Sequence, residues 1–175
     1  FIRITIHLYV AIIFCFSGCL SSNYQIIHTI EPQTKSHIIS EINNSISRSN
    51  GTVELNLLYN KNSRELGLNF HYYDKNWIFI KSNKSFMFIF DDGYIVSLSA
   101  SGKIFTNIPD NTNPPAIIEE WGFLPWTEIM MEKVLERKLI GVRVNGTNRY
   151  IEYEKNIHRL QNRWKKMLVK YPDIH

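Results

Sequence analysis

Residues 72–99 read YYDKNWIFIKSNKSFMFIFDDGYIVSLS, the densest concentration of apolar and aromatic side chains in the chain, interrupted at short intervals by turn-forming polar residues. Residues 77–80 and 86–90 are continuous apolar runs. Runs this short, rich in aromatic and β-branched residues, predict strands covered on both faces rather than helices. Asp92-Gly93 lies between FIF and YIV, where glycine's tolerance of positive φ suits a tight hairpin, and Asp74-Lys75-Asn76 supplies the preceding turn. The stretch predicts the centre of a β-sheet that needs a second layer over it.

The flanking segments extend that sheet. Residues 52–59 alternate Val53, Leu55 and Leu57 with Glu54 and Asn56, and Leu66, Leu68 and Phe70 repeat the pattern after NKNSRE, which predicts a hairpin. Ser101-Gly102 offers a further turn, with residues 103–106 as the last strand of a meander. Residues 107–125 carry three prolines in IPDNTNPP followed by AIIEEWGFLP, and predict an irregular aromatic loop. Thr127 can cap a helix running to Lys138, with Met131, Val134 and Leu135 as its buried stripe. Residues 139–144 and 149–153 read as strands around Asn145-Gly146. A second helix over 154–171 has a stripe of Ile157, Leu160, Trp164, Met167, Leu168 and Tyr171, with Pro172 at its end. The expected fold is α+β: a mainly antiparallel sheet or meander with one or two helices packed on one face, forming a single domain over residues 51–175.

At 175 residues, with 44% apolar and 13% aromatic content, the chain can bury a sizeable core. Its formal charge of +4 is too small to imply nucleic acid as a partner.

The N-terminus is of another character. Residues 1–19 contain Arg3, a largely apolar run over 4–16 and then Ser17 and Gly18, the layout of an export signal. The run is shorter than the ~20 residues that span a bilayer. The chain opens at Phe1, so a start residue and further positive charge are expected upstream. Residues 20–50 are rich in Ser, Asn, Thr and Gln. Residues 21–35 predict a tether, and the spacing of Ile38, Ile39, Ile42 and Ile46 predicts a short helix over 36–46 with Ser36 as its cap. Cys15 and Cys19 are the only cysteines, so a domain after the signal has no disulfide, thiol nucleophile or cysteine metal ligand.

Phe16-Ser17-Gly18-Cys19 resembles the lipobox of bacterial lipoproteins, with Phe16 where Leu is usual. The resemblance implies that Cys19 is diacylated and becomes the mature N-terminus, holding a soluble domain to a membrane. Ordinary secretion and an uncleaved anchor are the alternatives. WIFI, the Asp-Gly hairpin, the following helix, GVRVNGTNRYIEYE and the terminal helix also resemble a domain of uncharacterised bacterial lipoproteins over residues 55–171. That resemblance implies a β-rich scaffold without established activity, and so no catalytic residues.

Candidate chemistry is sparse. Asp91 and Asp92 precede Gly93 and read as turn formers. Glu119 and Glu120 beside Trp121 have the residue types of a glycoside site, but adjacent residues rarely flank a bond from opposite sides. His71 near Asp74 has the makings of a general base without a recognisable nucleophile. His37 and Glu41, on one face of the expected helix, are too few for a metal site. The scattered glycines match neither a dinucleotide nor a phosphate-loop spacing, so neither cofactor nor metal is expected. Two surfaces are candidates for binding: the aromatic group Trp121, Phe123 and Trp126, and a basic helix face of Arg159, Arg163, Lys166 and Lys170 suited to anionic lipid, an acidic envelope protein or a polyanion. The expectation is a noncatalytic, lipid-anchored protein of the bacterial cell envelope, facing the periplasm or exterior, that serves as a binding or interaction module. A secreted or periplasmic hydrolase of an envelope or carbohydrate substrate, and a structural envelope component, are the alternatives.

Overall fold

Alternating apolar residues can be buried on one side only if their strands share a covered face, and this chain builds two such faces. The computed structural model describes residues 24–75, 77–108 and 117–171; the signal-like segment with Cys19 lies outside the described residues. In order, the elements are β1 (Gln25–Ile30), β2 (His37–Ile42), β3 (Ser45–Arg48), β4 (Gly51–Asn60), β5 (Glu65–Asp74), β6 (Phe86–Phe90), β7 (Ile95–Leu98), β8 (Ser101–Asn107), β9 (Ile118–Pro125), α1 (Glu128–Glu136), β10 (Leu139–Asn145), β11 (Tyr150–Tyr153) and α2 (Ile157–Lys170). The fold is α+β and mostly antiparallel strand, as expected.

The strands form two sheets rather than one meander. A seven-stranded sheet runs β1-β2-β4-β5-β9-β8, with β3 also paired to β4, and a four-stranded sheet runs β11-β10-β6-β7. Val53, Leu55, Leu57, Leu68, Phe70 and Tyr72 are buried from the first, and Phe86, Phe88, Phe90, Val142 and Val144 from the second. The sheets meet where the Phe70 and Phe86 rings lie 5.0 Å apart. Helix α2 contacts β10 of the small sheet and β3 and β4 of the large one. Trp164 joins the helix to both sheets: its Nε1 donates to the Leu55 carbonyl at 3.0 Å, and its ring packs edge-on against Phe88 and Trp126.

The central stretch is divided between the sheets. Residues 72–74 end β5 in the large sheet, whereas β6 and β7 form the expected Asp-Gly hairpin in the small one, with Gly93 at φ +80. Residues 77–80 are not a strand. Ile78 and Ile80 are buried but Trp77 and Phe79 face outward, and the segment's ladder contact is a single bridge from Ile80 to Gly146. Its backbone groups are satisfied by loop and side-chain partners instead: the Ile80 amide donates to Glu120 at 2.8 Å, and the Thr147 amide donates to the Ile78 carbonyl at 2.8 Å. Likewise β8 does not prolong the meander but crosses to pair with β9.

Further expectations are corrected. Residues 36–46 form strands, not a helix. Asn43 takes a left-handed φ of 61 between β2 and β3, so the chain shifts from one end of β4 to the other and the inward parity resets. That break gives the isoleucines their helix-like spacing, with Ile39 and Ile46 both buried. Part of the expected tether, β1, pairs along its length with β2. Residues 118–125 are a strand ladder between β5 and β8, with Pro125 tolerated at its last position. Thr127 does cap α1, accepting from the Met130 amide, but the buried residues are Met130 and Val134, about one position round from the expected stripe, and Leu135 is exposed. The α2 stripe is as read from Ile157 to Leu168, with Gln161 added to it, while Tyr171 lies past the helix as its C-cap and is only partly buried. Asn145 pairs with Tyr150, so residues 146–149 make a longer loop than a two-residue hairpin.

Trp164→Ala is expected to destabilise the chain by about 3–5 kcal/mol in denaturant unfolding, because it opens a cavity where both sheets and the helix meet. Val169→Ala on the same helix, where the side chain is 74% exposed, is expected to change stability by less than about 0.5 kcal/mol.

Candidate functional site

Strand parity sorts the candidate residues before any chemistry is considered. Along β9, Ile118, Glu120 and Leu124 are buried, so Glu119, Trp121 and Phe123 project from the opposite, outer face of the large sheet. Register places Tyr73 beside Glu119, His71 beside Trp121 and Asn69 beside Phe123 on β5, while Phe105 and Ser101 flank Trp121 and Phe123 on β8. All of these but Tyr73 line an open groove of about 730 Å³, together with Lys103.

The groove has an aromatic floor with polar groups around it. Trp121 stacks on Phe105 with ring centroids 5.7 Å apart and planes 14° apart, yet the two remain 38% and 47% exposed. The His71 ring meets Trp121 edge-on at 5.8 Å and Tyr73 at 4.2 Å. His71 Nε2 stands 4.0 Å from Glu119 Oε2, and Lys103 Nζ lies 5.6 Å from the Phe105 ring centre. Burial, then a hydrogen bond to Glu54, pushes the Tyr73 phenol well above its ordinary value, so it is a neutral donor at any physiological pH. Phe123 lies across Gly67, where an added Cβ would come within 2.1 Å of its ring. Its aromatic surface therefore covers bare backbone as well as facing the groove.

The expected aromatic trio is thus split. Trp121 and Phe123 share the groove, whereas Trp126 packs against Trp164 at 5.4 Å and belongs to the core side. The acidic pair is split too. Glu119 is at the groove and Glu120 is buried, accepting from the Ile80 and Phe79 amides, with burial holding its carboxyl above the usual range despite those bonds. Two carboxylates on opposite faces of one strand cannot act on one bond. Phe105, Lys103, Asn69 and Ser101 were missed because β9 reads as a loop in the sequence; once it is a strand, period-two alternation finds all of them.

The remaining candidates serve the fold. Asp92 accepts from the Tyr94 amide and meets Lys133 and Arg137 of and after α1, contacts that hold its carboxyl below the usual range; Asp91 accepts from the Lys138 amide. His37 is exposed at the start of β2 while Glu41, four residues along the same strand, is buried. No three His, Cys, Asp or Glu side chains among the described residues converge as metal ligands.

The basic helix face is reduced. Arg159, Lys166 and Lys170 are exposed on α2, but Arg163 is turned to the N-terminal segment. It donates to the Asn43 carbonyl at 2.9 Å and lies 4.7 Å over the Tyr24 ring. Tyr24 in turn donates to Glu41 Oε1 at 2.9 Å, and Glu41 Oε2 accepts from the Leu57 amide and from Asn44, each at 3.0 Å. This network fastens residue 24, the break after β2, and α2 to one another.

No protein-family model, curated protein or solved structure matches the chain.

Burial raises the Glu41 carboxyl to about 7 from 4.5, outweighing the hydrogen bonds that lower it. Between those values the folded chain keeps a proton on Glu41 that the unfolded chain releases, so this group's contribution to stability falls as pH rises through the window and levels off above it. Glu41→Gln can accept from Leu57 and Asn44 and donate to the Tyr24 oxygen. The variant is expected to gain on the wild type by on the order of 3 kcal/mol between about pH 5 and about pH 8 in urea unfolding.

Proposed function

We propose that this is a noncatalytic binding protein of the bacterial cell envelope, held to a membrane by lipid on Cys19, and that its groove takes a segment of a carbohydrate chain. The observation that carries the binding reading is the exposed Trp121 and Phe105 stack inside a groove rimmed by Asn69, Lys103 and Glu119. The C–H face of a sugar ring packs on such an aromatic surface, and its hydroxyls need both donors and acceptors close by, which amide, ammonium and carboxylate groups supply. An apolar peptide would leave those polar groups unpaired. The lipobox-like Cys19 supports the tether, and a lipid of two or more chains gives stable attachment.

Full-length protein in detergent is expected to bind at least one member of a panel of envelope glycan oligomers, read by calorimetry and tryptophan emission, with Trp121→Ala weakening binding by roughly tenfold or more. Absence of binding across the panel, or binding indifferent to that substitution, counts against the groove. The tether is tested separately: intact mass should show a diacyl addition that Cys19→Ser abolishes together with membrane partitioning.

A second reading, a glycan hydrolase, draws on Ser101, His71 and Glu119 sharing the groove. No hydrogen bond joins Ser101 to His71 among the described residues, which favours binding over nucleophilic catalysis. Turnover of a bound oligomer, lost in His71→Ala or Glu119→Gln, is the outcome that favours hydrolysis.

A further inference from the structure

A cleft away from the groove, between the segment 77–84 and the β10–β11 loop, concentrates positive charge. Lys81, Lys84 and Arg149 line a space of about 410 Å³, and no carboxylate is among its described lining residues. Its walls are fixed by hydrogen bonds between the two loops. The Lys81 amide donates to the Asn145 carbonyl at 2.9 Å, Asn145 Nδ2 donates to the Lys84 carbonyl at 2.6 Å, and the Thr147 hydroxyl donates to the Phe79 carbonyl at 2.9 Å. Gly146 permits this approach, since a Cβ there would sit 2.2 Å from the Ile78 carbonyl oxygen.

The same segment displays two aromatic rings. Trp77 and Phe79 are 41% and 42% exposed, with their rings 6.3 Å apart. Phe79 has a φ of +50, which is costly for a bulky residue, and the structure clamps it there from both sides: its amide donates to buried Glu120 and its carbonyl accepts from Thr147. Burial of Ile78 and Ile80 does not require an outward aromatic between them. Lys84, at φ +49, is also held in the left-handed region, with its amide bonded to Ser99. Phe79 and Lys84 thus place two left-handed residues in the one segment that carries both the exposed rings and the two lysines.

We propose that this cleft and the Trp77–Phe79 pair form a docking surface for an anionic lipid membrane. Charge complementarity selects the occupant. Lipid phosphates take the positions facing Lys81, Lys84 and Arg149, while Trp77 and Phe79 enter the boundary between headgroups and acyl chains, the depth at which amphipathic and aromatic rings concentrate. The surface is separate from the carbohydrate groove and orients a tethered domain rather than tethering it.

The test uses the full chain in vesicles, so that attachment through the N-terminus is common to every sample. Vesicles contain acyl-brominated phosphatidylcholine alone or mixed with acyl-brominated phosphatidylglycerol, and tryptophan quenching reports ring depth. Quenching should be stronger with phosphatidylglycerol, fall at high salt, drop about twofold in Trp77→Phe and return to the phosphatidylcholine level in Lys81→Glu/Lys84→Glu. Circular dichroism of the lysine variant verifies that it is folded, and as both side chains are exposed the fold should be unchanged. Equal quenching in the two lipid mixtures overturns the proposal, as does quenching untouched by Trp77→Phe or by the charge reversals. Loss of the phosphatidylglycerol-dependent quenching on adding inorganic phosphate, beyond that caused by chloride at the same ionic strength, assigns the cleft to a free anion and also overturns it.

Discussion

The indole of Trp164 is the contact on which the single core depends. The Phe70 and Phe86 rings mark one place where the sheets touch, and as twisted sheets diverge away from such contact the opening between them must be filled by something apolar. Helix α2 fills it, and Trp164 bonds to the Leu55 backbone of one sheet while packing on Phe88 of the other. One turn earlier Gln161, also buried, accepts from the Leu139 amide and donates to the Val134 and Arg137 carbonyls. The final helix thereby satisfies both the end of α1 and the start of β10, groups that would otherwise be unpaired inside the protein. The C-terminal element completes strands and a helix that precede it in the chain.

Buried carboxylates perform a related function at two places where a ladder fails. Glu41 bonds to Leu57 and Asn44 beside the left-handed Asn43, and Glu120 receives the amides of the irregular segment that carries Phe79. Asp74 closes β5 beside Gly51, with Arg48 Nε 3.5 Å from its Oδ2. At the first two places the backbone departs from regular pairing and the carboxylate meets the amides there, whereas Asp74 sits in regular register with Gly51 and meets a side chain. Carboxylates accept several hydrogen bonds at once, which suits them to such breaks, although burial raises the proton affinity of Glu41 and Glu120.

Much of this was legible in the sequence because it rests on local periodicity. The β4–β5 and β6–β7 hairpins, the Thr127 cap and the α2 stripe all follow from residues within one element and its turn. The division into two sheets was not legible, since WIFI has the composition of a strand and only the non-local partners Glu120 and Thr147 make it a crossing segment. The break at Asn43 turned a strand parity into an apparent helical spacing. Reading Trp121 and Phe123 as loop residues identified them as a surface but hid Phe105 and Lys103, which meet them through strand pairing across a long sequence separation.

Parity also separates the inward from the outward residues of β9. Glu120 and Leu124 are committed to the interior, and Phe70 fills the space above Gly122, where an added Cβ would approach its ring to 2.9 Å. The interior side is therefore complete without Glu119 or Trp121. On the outer side Phe123 is partly committed to covering Gly67, and the Trp121 and Phe105 stack is a cross-strand aromatic pair of the kind that stabilises a sheet, yet it leaves large ring areas in water. That exposed ring area is what a ligand in the proposed role would cover. Because the neighbouring amide, carboxylate and ammonium groups stand on three different strands, the sheet sets their placement without a ligand.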